Sequence, residues 1–351
     1  MAHLSHDFPS GPDIKIFNDG IMPPFSKCVS KGAGHIYIKF SSGDQELFDS
    51  DFEVLLKEEL DYYKTHDRIR NYYILVTYEN FPSWWDDVYS PIFKMFRVNS
   101  MYAHYTEYLN WDKFDPTNRI LTKHFTCLNN RMNWYRFAIY RFMLSKQLTD
   151  SCYLSCIMSK RQNENIYDCD IDFPFTQGQD FAEIIKTIPY KNFEESDIPN
   201  SGDWSYGRRE FVENSFCNLV TETYNESPFF TEKTFKCFAN MQPFLLYGGA
   251  NSLQYLKDLG FKTFDGIFDE SYDSEENHIL RFEKFTEEVE RISKFSLSDC
   301  KKMLSSVIPI LEHNYNHFKY NLPKMFDSDM KRVTIEVNKI VEQARKRITS
   351  T

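Results

Sequence analysis

Apolar residues run along this chain in short unbroken blocks that end on a polar or acidic position. "NYYILVTYEN" (71–80) is one such block, with Glu79 near its end. "KHFTCLNNRMNWYRFAIYRFML" (123–144) opens with a strand-like run, turns polar at Asn129, Asn130 and Arg131, and then becomes helical. "FCNLVTETYN" (216–225) is a third block, closing at Glu222. Runs of about four to eight apolar residues bounded by polar ones predict strands buried on both faces.

The clearest alternation follows Glu222. Thr231 is predicted to cap a helix over 232–241, in which Phe235, Phe238 and Met241 recur on one side. Pro243 stops it, "PFLLYG" predicts a strand, and Gly248 and Gly249 make the turn. Ser252 is predicted to cap a second helix, closed by Gly260, and "FKTF" (261–264) reads as the next strand. Strand, helix, strand, helix, strand is the pattern of a parallel α/β sheet. The tail reads as helices throughout. Pro116 and Asn118 interrupt the pattern in "WDKFDPTNR" (111–119), so the chain is expected to divide into α/β halves over 1–118 and 119–300. Helices over 301–351 are expected to pack across them.

Composition narrows the class. The chain has 351 residues, 42% of them hydrophobic and 26% charged, which is the profile of a folded globular protein with room for two domains. No apolar run reaches the roughly 18 residues of a spanning helix, and "MAHLSHDFPSGPD" has neither the basic start nor the apolar core of a secretion signal. The eight cysteines are scattered without a C-x-x-C, which predicts reduced thiols and a cytoplasmic location. A formal charge of −10 argues against general attraction to a polyanion.

In open α/β sheets ligands lie beyond the carboxyl ends of the strands, where Glu79, the Asn129–Arg131 cluster and Glu222 all fall. Lys233 sits in the first turn of a predicted helix, where the helix dipole disfavours a cation. A bound diphosphate would reverse that sign, because the lysine and the free N–H groups would attract the same anion. Glu232 is then placed to accept the hydroxyls of a ribose. "DCDID" (168–172) has the D-x-D spacing of a divalent-cation site but lacks flanking strand patterns, and reads as a charged loop. His124, His278 and His313 are isolated, so no metal site is assigned.

"NLVTETYNESPFFTEKTF" (218–235) resembles the donor-binding signature of the α1,3-fucosyltransferase family, in which an acid-bearing strand is followed by Y-V-T-E-K. "YENFP" (78–82) resembles that family's G-E-N-x-x-P segment, and "FTCLNNRMNWYR" (125–136) its F-x-x-x-N…R segment, in the same order along the chain. "SLQYLKDLGFKTFDGIFDESYD" (252–273) is also similar to uncharacterised phage-encoded glycosyltransferase-like proteins. Tyr78 stands where the family has glycine, and the interval between Glu222 and Glu232 is longer.

The resemblance implies two facing Rossmann-like domains of the GT-B type with C-terminal helices, acceptor side first and donor side second. It implies a nucleotide-diphosphate sugar as donor substrate, no cofactor and no metal. Glu79 would be the catalytic base. Asn130, Arg131, Arg136, Glu222, Thr231, Glu232 and Lys233 would form the donor site. Trp84 and Trp85 would stack on the acceptor, a glycan or a hydroxymethylated base of phage DNA. The expected activity is inverting sugar transfer to a hydroxyl. The alternative is a two-domain nucleotide-sugar-binding protein without catalysis.

Overall fold

The computed structural model describes residues 11–17, 34–41, 50–78, 84–98, 115–129, 133–157, 174–175, 190–192, 209–222, 225 and 228–349. The chain is α/β and divides into two compact units, one made of residues 1–104 and 322–351, the other of 105–321. The boundary expected after 118 therefore lies inside the second unit. No helix among the described residues is long and apolar enough to cross a membrane.

The first unit carries a parallel sheet in the order β1 (Ile14–Phe17), β2 (His35–Ser41), β3 (Asn71–Tyr78), β4 (Phe93–Val98). Helix α1 (Ser50–His66) connects β2 to β3, and the short α2 (Trp84–Tyr89) connects β3 to β4. Both connections join neighbouring parallel strands, as the expected βαβ pattern requires. The block 71–78 is a central strand, with Tyr72 to Val76 all buried, which explains its unbroken apolar character.

The second unit is built on a sheet in the order β7-β6-β5-β8-β9. Its strands are β5 (Lys123–Asn129), β6 (Cys152–Cys156), β7 (Tyr190–Lys191), β8 (Ser215–Thr221) and β9 (Phe244–Tyr247), parallel except for β7. Counted from its own first strand, the order is 3-2-1-4-5, that of a doubly wound Rossmann sheet. Helix α3 (Trp134–Ser145) leads from β5 to β6 and α4 (Arg209–Glu213) precedes β8. Helix α5 (Glu232–Ala239) leads from β8 to β9, and α6 (Ser252–Asp258) follows β9. Three helices follow, α7 (His278–Ser293), α8 (Leu297–Ser306) and α9 (Ile308–Asn316), before a π-helical turn over His317–Asn321. All six described cysteines lie in this unit as buried free thiols, and burial pushes each thiol up from its ordinary pKa.

Two expectations change. Residues 261–264 form no strand. Phe261 and Phe264 are buried beside Phe238 and Phe244, and the backbone N–H of Phe264 goes to Glu270 at 2.7 Å. An apolar loop that finds side-chain partners for its backbone carries the same sequence signal as a strand. The tail helices, expected over 301–351 to pack across the two halves, divide between the two units. Helices α8 and α9 stay with the second unit, while α10 (Leu322–Thr349) belongs to the first.

Helix α10 buries Phe326, Met330, Val333, Val337, Val341 and Ala344, spaced three or four apart, in the core of the first sheet. Near its end Arg345 donates to both carboxylate oxygens of Asp13, at 2.7 and 3.0 Å, and holds that carboxyl below the usual range. Val337→Ala should therefore cost the first unit about 2 kcal/mol, while Lys339→Ala on the exposed side should stay within about 0.5 kcal/mol. Hydrogen exchange of the β3 amides in urea reads both, and equal effects would detach α10 from that core.

Candidate functional site: the β5–β8 switch point of the second unit

From β5 the chain moves to β6 on one side, and from β8 it moves to β9 on the other. Right-handed crossovers in opposite directions place α3 and α5 on opposite faces of the sheet, which opens a crevice above the carboxyl ends of β5 and β8. Contacts on the two helices agree with this. Lys146, just after α3, pairs with Glu290 of α7 at 2.7 Å, while Phe235 and Phe238 of α5 pack on Phe318 after α9.

The first turn of α3 grips the end of β8. Asn133 caps the helix by accepting the Arg136 N–H at 3.0 Å. Arg136, 1% exposed, donates from Nε and Nη2 to the Thr221 carbonyl at 3.2 and 2.8 Å. The Tyr135 hydroxyl donates to the Glu222 carbonyl. Buried carbonyls at a strand end need such partners. Across the switch point Thr221 Oγ1 donates to Asn129 Oδ1 at 2.7 Å. Asn130 and Arg131 lie outside the described residues, as do Glu79 and "DCDID". Trp84 and Trp85 begin α2.

Glu222 is fully buried. Its carboxylate accepts the Thr231 N–H at 3.0 Å, the Thr231 hydroxyl at 2.5 Å and the Thr234 hydroxyl at 2.6 Å. It is thus taken up by the start of α5. Thr231 caps that helix as expected, accepting from the Lys233 N–H at 3.3 Å. The helix ends two residues before the predicted 241. Asn240 is its C-cap and Met241 turns left-handed at φ 51°. Arg119 holds this end, donating to the Asn240 and Met241 carbonyls at 2.5 and 2.9 Å, and burial brings its pKa down to about 9.

Lys233 lies over the same turn. Its Nζ meets Glu232 Oε1 at 2.7 Å and Thr231 Oγ1 at 3.3 Å. The two charged side chains are only 15% and 9% exposed. Burial pushes the lysine below its ordinary pKa, and the positive charge of Arg136 adds to that, against the pull of Glu232 and Glu222. Glu232 and Lys233 therefore form a largely desolvated ion pair at a helix N-terminus.

The neighbouring turn after β9 is closed differently. Asn251, left-handed at φ 63°, precedes α6 without capping it by its side chain. Asp273 accepts the Leu253 and Gln254 N–H groups instead, at 2.9 to 3.2 Å. Ser252, the expected cap, donates to the Gly249 carbonyl at 2.6 Å. Arg281 binds the carbonyls of Gly248, Asn225, Glu275 and Glu276. A Cβ on Gly248 would meet Ser252 Oγ at 3.3 Å and Glu222 Cβ at 3.8 Å, so this turn lies close against the Glu222 latch. Thr234, Tyr135, Asn133, Asp273 and Arg281 escape the sequence reading. Only Thr234 carried a local signal, three residues after Thr231.

His124, His278 and His313 are engaged or packed. His124 and His313 bond the Phe295 and Gly260 carbonyls, both at 2.9 Å, and the His278 ring sits edge-on to Trp134. Among the described residues no group of His, Cys, Asp and Glu is arranged to hold a metal ion.

Thr234→Val keeps the shape of the side chain and removes one donor to the buried Glu222 carboxylate. The second unit should lose roughly 1.5–3 kcal/mol in chemical denaturation, as for a hydrogen bond to a charged group. An unchanged midpoint would mean that the carboxylate does not hold α5.

Compared with models of protein families, with curated proteins and with solved structures, the chain matches none.

Proposed function

We propose that the chain is a sugar-nucleotide-dependent glycosyltransferase of the GT-B type, with the donor diphosphate seated at the start of α5. One observation carries this: a partly buried lysine, paired to the adjacent buried glutamate, stands at a helix N-terminus on the switch point of a Rossmann-ordered sheet. Positive charge in a desolvated crevice is what a leaving diphosphate requires. The order of the three motifs that resemble the α1,3-fucosyltransferase family adds to it.

In the proposed transfer an acceptor hydroxyl oxygen attacks the anomeric carbon. The bond from that carbon to the diphosphate oxygen breaks, and its electron pair stays on the phosphate. Lys233 and the first N–H groups of α5 meet the charge that develops there. Arg136, fixed on the Thr221 carbonyl, adds positive potential from beneath. Glu232 receives the ribose hydroxyls. Glu79 takes the acceptor proton, and Trp84 and Trp85 provide stacking surface for a glycan or a modified base.

Titration calorimetry with nucleoside diphosphates and their sugar conjugates should detect binding. Lys233→Ala should weaken it by roughly 1.5–3 kcal/mol. Glu79→Gln should slow transfer about 10²–10⁴-fold at near-unchanged donor affinity. A folded Lys233→Ala protein that binds as tightly as the parent would remove the lysine, and with it this seat, from the donor site.

A further inference from the structure

Glu232 sits where an incoming anion would have to go. Its carboxylate already holds the Lys233 ammonium at 2.7 Å, and both side chains are nearly out of water. The same ammonium meets Thr231 Oγ1 at 3.3 Å, and the Glu222 carboxylate beneath is occupied by Thr231 and Thr234. A phosphate that claims Lys233 must therefore part it from Glu232. The displaced carboxylate then faces a multiply charged anion in a desolvated place, an arrangement that is costly unless new donors reach it.

We propose that the Glu232–Lys233 pair is a selectivity gate, an internal carboxylate that keeps free inorganic anions off the lysine and yields to a diphosphate carrying a vicinal diol. The proposal rests on the donor site assigned above and concerns what that site rejects. A ribosyl diphosphate brings two things at once. Its phosphate oxygens replace Glu232 at the ammonium, and its two ribose hydroxyls offer the displaced carboxylate two donors in place of the lysine, so each charge exchanges one partner for another. Pyrophosphate brings only the first. A nucleoside diphosphate without its ribose hydroxyls does the same while keeping its base, which separates the gate from any contribution of the base.

The test is calorimetric binding of three probes to the wild-type chain: a nucleoside diphosphate, its 2′,3′-dideoxy form, and inorganic pyrophosphate. The ribose form should bind at least about tenfold more tightly than the dideoxy form, with pyrophosphate weaker than both. In Glu232→Gln the gate carries no charge. Pyrophosphate and the dideoxy form should each gain about tenfold or more, and the ribose form should gain less than either. The wild-type comparison stands even where the variant folds poorly. Equal wild-type affinity for the ribose and dideoxy forms would overturn the gate, as would a folded Glu232→Gln protein whose pyrophosphate affinity is unchanged or weaker. If the wild-type chain binds none of the three, the donor site itself fails and the gate falls with it. If Lys233→Ala abolishes binding while the ribose hydroxyls make no difference, the site survives and only the gate fails.

Discussion

The candidate site depends on one buried carboxylate. Glu222 follows the last residue of β8 and reaches into the first turn of α5, where three donors from Thr231 and Thr234 close on it. Its own carbonyl is held by Tyr135 at the start of α3. A carboxylate this far from water is stable only with its hydrogen bonds complete, so the arrangement is all or nothing. It ties two helices on opposite faces of the sheet to one strand end. It also fixes Thr231, the residue against which the Lys233 ammonium rests.

Chemical differences between otherwise similar turns follow from this. Helix α6 also begins at the carboxyl end of a strand, yet Asp273 already covers its first N–H groups. At α5 the corresponding charge on the helix is carried by Glu232 together with a cation, in a pair that a ligand can take apart. A capped turn is stable and chemically silent. A turn bearing a desolvated ion pair keeps its capacity to exchange partners, which is the property a binding site needs.

The strand blocks at 71–78, 123–129 and 215–221 were legible because parallel strands buried on both faces cannot hide their apolar run. The Thr231 cap and the turn at Gly248 were legible because each is a local rule. The loop at 261–264 was misread for the opposite reason: its phenylalanines are core residues held by tertiary contacts, not by a ladder. Asp273 and Arg281 act across twenty residues or more of chain, and no local pattern announces such a partner. The return of α10 to the first unit is also a long-range fact, although its helical character was legible. Arg136 illustrates the limit at the site itself. The family resemblance put it, with Arg131, in the donor site, and the fold shows its guanidinium donating to the Thr221 carbonyl.

The central claim is that the β5–β8 crevice of the second unit is where this chain meets its ligand. Hydrogen exchange with and without a saturating nucleoside diphosphate tests it without any substitution. Exchange should slow at Asn133–Arg136 and at Glu222–Phe235, with smaller changes at the α6 turn, whose N–H groups already have partners. Protection confined to other segments, under conditions where binding is measurable, would contradict the account.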